Sequence, residues 1–516
     1  SDEGRTLAQE MSNKGAAAMR GKLHRFSHYV SSTAARLLGR LVNPSGASTE
    51  SLPDGVRELL EYHWSERDDK DNRDLSLPSE EKIELHAVLM IEAYTPTNFA
   101  NLTDWLTRQG WGDEEVVFAG PKLLGWVTRA RASSSGGGGV NVGLLTRPGT
   151  TILGECRLAE LPSGVDRALA WISFPTPSLT LLCVTFMLDD ETATRADAEL
   201  REDRQTYATK VGGSYRFWDP PIQKREAVRH ARLAIRSALG DWLKTSAPGV
   251  FASTGVPSRY PACEIWTTQV GEPFGEWEGG ARSSGYASTL DWETTWQAWE
   301  AEEMQGFRLG YPRSEEERDS CLVLAGKRGS KTEEKMLSSC GGESRWAFAY
   351  LLDSDMRELV SRWALNCLLI EYQEELSAVR DLMGRKERHS RLRRMIQSLE
   401  ALQGSLDVAA EAEMIGLEAG IYCRRQSRYK WDCPNFMALA WWPEDDRPSL
   451  VEILRKEGLE RSYRLRQAAR GVGARTQSFA ELSNAITGLR LQVSVRWLTA
   501  GALAVSLAAL IVAAVK

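Results

Sequence analysis

Two pairs of aspartates follow apolar runs that read as strands of an α/β protein. Asp189 and Asp190 follow the first run, and Asp353 and Asp355 follow the second. Ligand and magnesium sites of α/β sheets lie at the carboxyl ends of strands, where carboxylates supply the oxygen ligands that Mg²⁺ prefers. The sequence therefore predicts a magnesium site at one of these pairs, with aspartate as a helix N-cap as the alternative.

Other catalytic signatures are missing from the sequence. It contains no HExxH, GxSxG or CxxC motif, and no nucleophile and base can be paired from their spacing. Lys327 to Thr332 ends in Lys-Thr like a phosphate-binding loop, but Ala325 and Ser330 occupy the two glycine positions. The sequence thus favours a protein that is not an enzyme.

The hydrophobic pattern predicts strands and helices that alternate and then give way to long helices. Short apolar runs rich in β-branched and aromatic residues predict strands at 85–94, 140–145, 168–174, 179–188, 321–325 and 346–352. Helical spacing and capping residues predict helices at 98–109, 223–244, across 356–420 and from about 449 onward. The fold class is therefore α+β or α/β, followed by a long-helix stalk.

A division into five segments follows from this pattern. We expect a basic amphipathic helix at 1–45, a polar linker at 46–79 and a mixed α/β cytoplasmic domain at 80–355. A helical stalk at 356–496 then leads to a transmembrane helix at 497–515.

The prediction of a transmembrane helix is based on an uncharged apolar run. Residues 497–515 contain no charged side chain, and a helix of that length rises about 28 Å, close to the thickness of a bilayer core. A buried core helix is the alternative, but such a helix carries polar residues along one face. Only Thr499 and Ser506 interrupt this run. Arg496 and Trp497 stand where interfacial anchors belong.

Charge and cysteine usage place the body in the cytoplasm. Basic residues accumulate before the predicted span, namely Arg461, Arg464, Arg466, Arg470, Arg475, Arg490 and Arg496, whereas only Lys516 follows it. Eight cysteines without a paired spacing suit a reducing compartment. We therefore expect a single-pass protein of the cell membrane, and a net charge of -6 makes nucleic acid an unlikely partner.

The first predicted helix is basic. Residues 11–49 have no acidic side chain, and the basic positions are Lys14, Arg20, Lys22, Arg25, Arg36 and Arg40. Contact with anionic lipid headgroups is one interpretation, because the apolar tail would already hold the body near a membrane. A helix packed on the protein's own core, with a solvated basic face, is the other.

Within the predicted span, Ala500, Ala504 and Ala508 recur at a spacing that places them on one helix face. Small residues let helices approach closely in lipid, so this face predicts packing between copies of the chain. A single uncharged helix cannot conduct ions, so any pore needs several copies.

The arrangement of an α/β cytoplasmic body, long helices and a membrane segment resembles the CorA-type divalent metal channels. The run LSNAITGLRLQVSVRWLTAGALAVSLAALIV is similar to their junction between stalk and membrane. Those channels carry a second membrane helix and a Gly-Met-Asn signature, and the sequence up to Lys516 contains neither. The resemblance therefore carries over no pore or metal residue.

Three functions are compatible with the sequence. The first is a membrane-anchored sensor or effector, similar in outline to bacterial defence effectors, whose body binds a small-molecule or protein trigger. The second is a membrane-tethered enzyme that uses Mg²⁺ at one aspartate pair, and the third is a CorA-like ion-transport protein. The lipid bilayer is a partner in all three, and the first and third predict a homo-oligomer.

Overall fold

The computed structural model describes residues 64–65, 67–114, 122–133, 138–149, 156–211, 214–256, 259–274, 285–290, 292, 298–311, 321–342, 344–386, 392–439 and 447–515. The chain divides into two compact units. The smaller unit takes its residues from 1–77, 198–229 and 284–291, and the larger unit takes the remainder.

The larger unit is built on one mixed sheet of ten strands. Its strands are β1 (Ile83–Tyr94), β2 (Gly139–Thr146), β3 (Cys156–Leu158), β4 (Val165–Thr176), β5 (Leu179–Leu188), β8 (Ala262–Thr268), β9 (Ala298–Glu300), β10 (Phe307–Gly310), β11 (Cys321–Lys327) and β12 (Met437–Ala438). The order across the sheet is β12-β9-β10-β11-β8-β1-β5-β4-β2-β3. Only the β8–β11 and β2–β3 pairs are parallel. This sheet confirms the mixed α/β prediction.

From residue 99 onward, the helices of the described residues are α1 (Phe99–Arg108), α2 (Leu123–Ser133), α3 (Asp190–Ala193), α4 (Arg195–Arg201), α5 (Pro220–Ser246), α6 (Val250–Thr254), α7 (Lys331–Ser339), α8 (Ser344–Leu351), α9 (Arg357–Lys386), α10 (Leu392–Arg424), α11 (Gln426–Tyr429) and α12 (Leu450–Val515). Short 3₁₀ turns lie at Trp111–Asp113, Gly285–Ser288 and Glu302–Met304. A π-helical turn, Leu352–Met356, joins α8 to α9.

The smaller unit contains the hairpin of β6 (Tyr207–Val211) and β7 (Ser214–Trp218). A helical stretch at 67–74 is bonded to the chain before this hairpin. The Asn72 side chain donates to the Arg204 carbonyl at 2.8 Å and accepts from its N–H at 3.1 Å. Asp68 accepts the Thr206 N–H at 2.7 Å. These polar contacts join the helical stretch to the chain that leads into the hairpin.

Helices cover both faces of the ten-stranded sheet. On one face, His86 of β1 stacks on Phe348 of α8 with ring centroids 4.2 Å apart. On the other face, Phe186 of β5 meets Trp242 of α5 edge to face at 5.5 Å. β1 and β5 are central strands that are buried along nearly their whole length, which is why their sequences read as continuous apolar runs.

One predicted strand is wrong. Residues 346–352 form helix α8 and the start of the π-helical turn, not a strand. The physical reason is that this segment lies on the sheet and not in it. The aromatic character that favoured a strand is used by Phe348, which packs between the sheet and the guanidinium of Arg328.

Three long helices pack together. Gly458 of α12 faces Asn366 of α9 and Cys423 of α10 so closely that a Cβ there would lie 2.9 Å from both side chains. Asn366 also donates to the Leu454 carbonyl of α12 at 3.0 Å. The first half of α9 lies in the core, where Leu365 and neighbouring apolar side chains are fully buried. This half of α9 is therefore packed within the larger unit, and a stalk at 356–496 stays a prediction from the sequence.

Candidate functional site

The most unusual feature is the end of α12, which we call the apolar segment (Leu491–Leu510). It is long and apolar enough to cross a membrane, and none of it is buried. Trp497 is 75% exposed, Leu498 74% and Val505 71%. Each such aliphatic side chain gains about 1.5–3 kcal/mol on leaving water. Covering this segment with lipid or with another protein surface would therefore be favourable.

The polar side chains inside the predicted span are satisfied within the helix. The Thr499 hydroxyl donates to the Val495 carbonyl at 2.8 Å, and the Ser506 hydroxyl donates to the Ala502 carbonyl at 2.8 Å. A polar group without a hydrogen-bond partner costs several kcal/mol in hydrocarbon. Both hydroxyls of the predicted span are thus bonded within the helix.

The predicted anchors and packing face lie on this helix. Arg496 and Trp497 are exposed, and Arg496 is the only charged residue of the apolar segment. Ala500, Ala504 and Ala508 are also exposed in a continuous helix. Their contact with another copy stays a prediction, because a single chain is described.

The N-terminal part of α12 packs against α10 of the larger unit. Gly416 of α10 lies where a Cβ would be 3.1 Å from the Ser462 carbonyl oxygen of α12. Glu413 of α10 pairs with Arg470 of α12 at 2.6 Å. α12 continues without a break through Gly471 and Gly473. At 1.5 Å per residue the whole helix is about 99 Å long.

The first aspartate pair starts a short helix. Asp189 is the N-cap of α3, and its carboxylate accepts the Thr192 N–H at 2.9 Å. Asp190 is exposed and forms an ion pair with Arg345. These contacts are those of the N-cap alternative.

The second pair lies in the π-helical turn. Asp353 accepts from Arg357 at 3.0 Å, and Asp355 accepts from the Ser354 hydroxyl at 2.7 Å. The Arg357 guanidinium also stacks over the Trp171 ring, 3.8 Å from its centroid. Burial raises the pKa of Asp353, and the charge of Arg357 opposes that rise. Asp353 is therefore part of a structural ion pair.

The two aspartate pairs do not form a converged metal centre. In the part of the chain that the structure describes, no group of three or more His, Cys, Asp or Glu side chains is placed to hold a metal ion. A magnesium site at Asp189 and Asp190 or at Asp353 and Asp355 thus stays a prediction from the sequence.

Sequence reasoning missed two buried carboxylates. Glu92 of β1 accepts the Phe251 and Ala252 N–H groups at 2.8 and 2.9 Å. Burial raises the pKa of Glu92 to about 7, although backbone hydrogen bonds oppose this. Glu264 of β8 is fully buried and pairs with Arg232 at 2.8 Å and with Arg236 at 3.4 Å. In the sequence, each of these glutamates could have been recognised as a charged residue inside an apolar run that predicts a strand.

His86 of β1 is a buried histidine whose protonation is disfavoured. Its Nε2 lies 2.7 Å from the Thr267 hydroxyl. Burial lowers the pKa of His86 to about 3, and the positive charges of Arg328 and Arg345 add to the effect. The ring is therefore neutral at physiological pH and serves packing.

The basic residues predicted to meet lipid headgroups, Lys14, Arg20, Lys22, Arg25, Arg36 and Arg40, lie outside the described residues. Comparison of the chain with protein-family models, with characterised proteins and with solved structures finds no match. The resemblance to CorA-type channels and to defence effectors accordingly stays a prediction from the sequence.

Proposed function

We propose that this chain is a membrane-anchored sensor or effector whose α/β body binds a trigger and whose helices act at the membrane. One observation carries the proposal. A single unbroken helix, α12, is packed in the body at Gly458 and ends in an apolar segment with no burial at all. A rigid helix of this kind transmits a displacement of the body to the bilayer.

A route from the sheet to α12 supports the sensor function. Glu418 of α10 accepts both the N–H and the hydroxyl of Ser178, at 2.9 and 2.8 Å, in the turn between β4 and β5. Two residues further along α10, Gly420 packs on Ser462 of α12. α10 therefore contacts both that end of the sheet and α12, so it would pass a rearrangement of the sheet on to α12.

We place the body in the cytoplasm. Arg490 directly precedes the apolar segment and Arg496 lies in its first third, on the side that leads back to the body, within the distance over which basic residues fix orientation. The bilayer is then the first partner, and another copy of the chain is the second.

The test of this proposal is the mass of the detergent-solubilised chain by light scattering, with and without residues 490–516. A defined oligomer that needs these residues is the expected result. A monomer in both forms would rule out an effector that acts as an oligomer. Ala504→Ile serves as a finer variant, because it should weaken association if the alanine face packs between copies, while Val505→Ile on an adjacent face should not.

A CorA-like ion-transport protein is the second candidate. The continuous helix α12 favours this candidate, because the resemblance to CorA-type channels lies at the junction between stalk and membrane segment. Uptake of Mg²⁺ into proteoliposomes that carry the full chain separates the two candidates, because an effector without a trigger should give no flux.

The tethered Mg²⁺ enzyme is the remaining alternative. Replacing Asp353 and Asp355 by alanine would abolish an Mg²⁺-dependent activity if they held the ion. Our proposal expects only a loss of stability, because Arg357 would lose its carboxylate partner.

A further inference from the structure

Arg496 is a cation among apolar side chains. It is the only charged residue of the apolar segment, and its side chain is exposed. Exposed apolar side chains precede and follow it on α12: Val493, Val495, Trp497 and Leu498. A membrane that covers these side chains therefore surrounds Arg496 as well.

No carboxylate on the same helix balances the charge of Arg496. The side chains three and four residues away in both directions are uncharged, and these are the neighbours that a helical side chain meets on its own helix. The nearest preceding acidic residue is Glu481, about four helical turns earlier, and none follows up to Lys516. The charge is thus open to a partner from outside the helix.

The depth of Arg496 indicates what that partner is. Arg496 lies five residues, about 7.5 Å, inside the start of the apolar segment. From that depth an arginine extends toward the headgroups while its methylene groups stay among apolar chains. The headgroups present phosphate oxygens, which a planar guanidinium binds through two parallel hydrogen bonds.

The neighbouring residues suit the same level of the membrane. Trp497 is highly exposed, and its indole joins an apolar ring to one N–H donor, the combination that is enriched at membrane interfaces. Gln492 and Ser494, in the preceding turn, are polar and exposed. This part of α12 therefore fits the boundary between headgroups and hydrocarbon.

Charge selects the class of lipid. In phosphatidylcholine the phosphate already has the ammonium group of its own headgroup as a neighbour, whereas the phosphate of phosphatidylglycerol has no such cation. Basic residues at a membrane surface accordingly attract anionic lipids, which are concentrated in the cytoplasmic leaflet. That leaflet is on the side where we place the body.

From these features we propose that Arg496 binds the phosphate of an anionic phospholipid, with Trp497 holding the helix at the matching depth. The inference rests on the proposed membrane function and adds a lipid class to the bilayer named there.

The test uses the full chain in liposomes of phosphatidylcholine and phosphatidylglycerol in equal parts. The chain is extracted in mild detergent, and the lipids that stay bound are counted by mass spectrometry. We expect phosphatidylglycerol to be enriched at least fivefold, and Arg496→Gln to lower that enrichment about fivefold, the effect of one basic residue at an anionic surface. Arg496→Lys should keep part of it, because the charge remains and the paired hydrogen bonds are lost. The matched control Arg464→Gln, exposed on α12 before the apolar segment, should leave it unchanged.

Three results would overturn the lipid site. They are equal retention of the two lipids, an enrichment that Arg496→Gln leaves unchanged, and displacement of phosphatidylglycerol by inorganic phosphate, which would assign the site to a free anion. None of them contradicts the membrane function. A chain that does not stay with the liposomes at all would refute that function, and the lipid site with it.

Discussion

The packing of α12 against the body can be tested with one methyl group. In Gly458→Ala the new Cβ would lie 2.9 Å from the Asn366 Oδ1 and 2.9 Å from the Cys423 Sγ. Overpacking of this kind costs about 1–3 kcal/mol. Replacing a helical glycine by alanine returns about 0.5–1 kcal/mol. The two ranges together give a net destabilisation of about 0–2.5 kcal/mol. We expect about 1–2 kcal/mol, because Asn366 is held in place by its hydrogen bond to the Leu454 carbonyl and does not move aside freely.

Native-state hydrogen exchange of the amides at 450–470 measures this directly. A loss of about 1–2 kcal/mol speeds exchange roughly 5–30-fold where opening of the helix controls it. Gly471→Ala is the matched control, because Gly471 lies in the same helix and its added Cβ would meet no atom within 4 Å. Exchange should slow in the control. If both substitutions slowed exchange alike, the close contact of α9, α10 and α12 would be refuted.

Three further predictions concern charge. The pKa of Glu92, about 7, is above its ordinary value of 4.5, so the folded state holds a proton that the unfolded state releases. The free energy of unfolding should therefore fall by about 3 kcal/mol between pH 4.5 and 7 and stay level above, and Glu92→Gln should remove this slope in urea titrations. Glu264→Gln leaves Arg236 buried without its carboxylate and should cost about 3–5 kcal/mol in the same assay. Leu503→Arg costs about 2.5–3.5 kcal/mol at the centre of a membrane helix, so the alkali-resistant membrane fraction should drop more than tenfold, whereas Leu489→Arg, outside the apolar segment, should change it little.

Local sequence patterns predicted most of the sheet. Residues 85–94, 140–145 and 179–188 were expected as strands and form β1, β2 and β5. Pro175, Thr176 and Pro177 favour a turn between antiparallel neighbours, and β4 and β5 pair antiparallel across a turn that follows Thr176. These predictions succeeded because buried strands and tight turns are encoded by adjacent residues.

Other features depend on partners that are distant in sequence. Glu264 is neutralised by arginines about 30 residues away, and no local pattern names them. The open cavity beside β9, β10 and β12 is lined by residues from separate stretches of the chain between 272 and 447. The segment 346–352 was misread because an apolar run fits either a strand or a helix packed on a sheet. Tertiary packing decided each of these cases.

The depth of the apolar segment in a bilayer tests the central claim most directly. A nitroxide label at Val505→Cys, in a chain whose partly exposed Cys156, Cys340 and Cys433 are replaced by serine, would be measured in liposomes. Tyr463→Cys, 61% exposed on the same helix, is the control. We predict that oxygen reaches the label at 505 readily and a water-soluble nickel complex does not, with the reverse at 463. Equal access of nickel to both labels would contradict the membrane-anchored function.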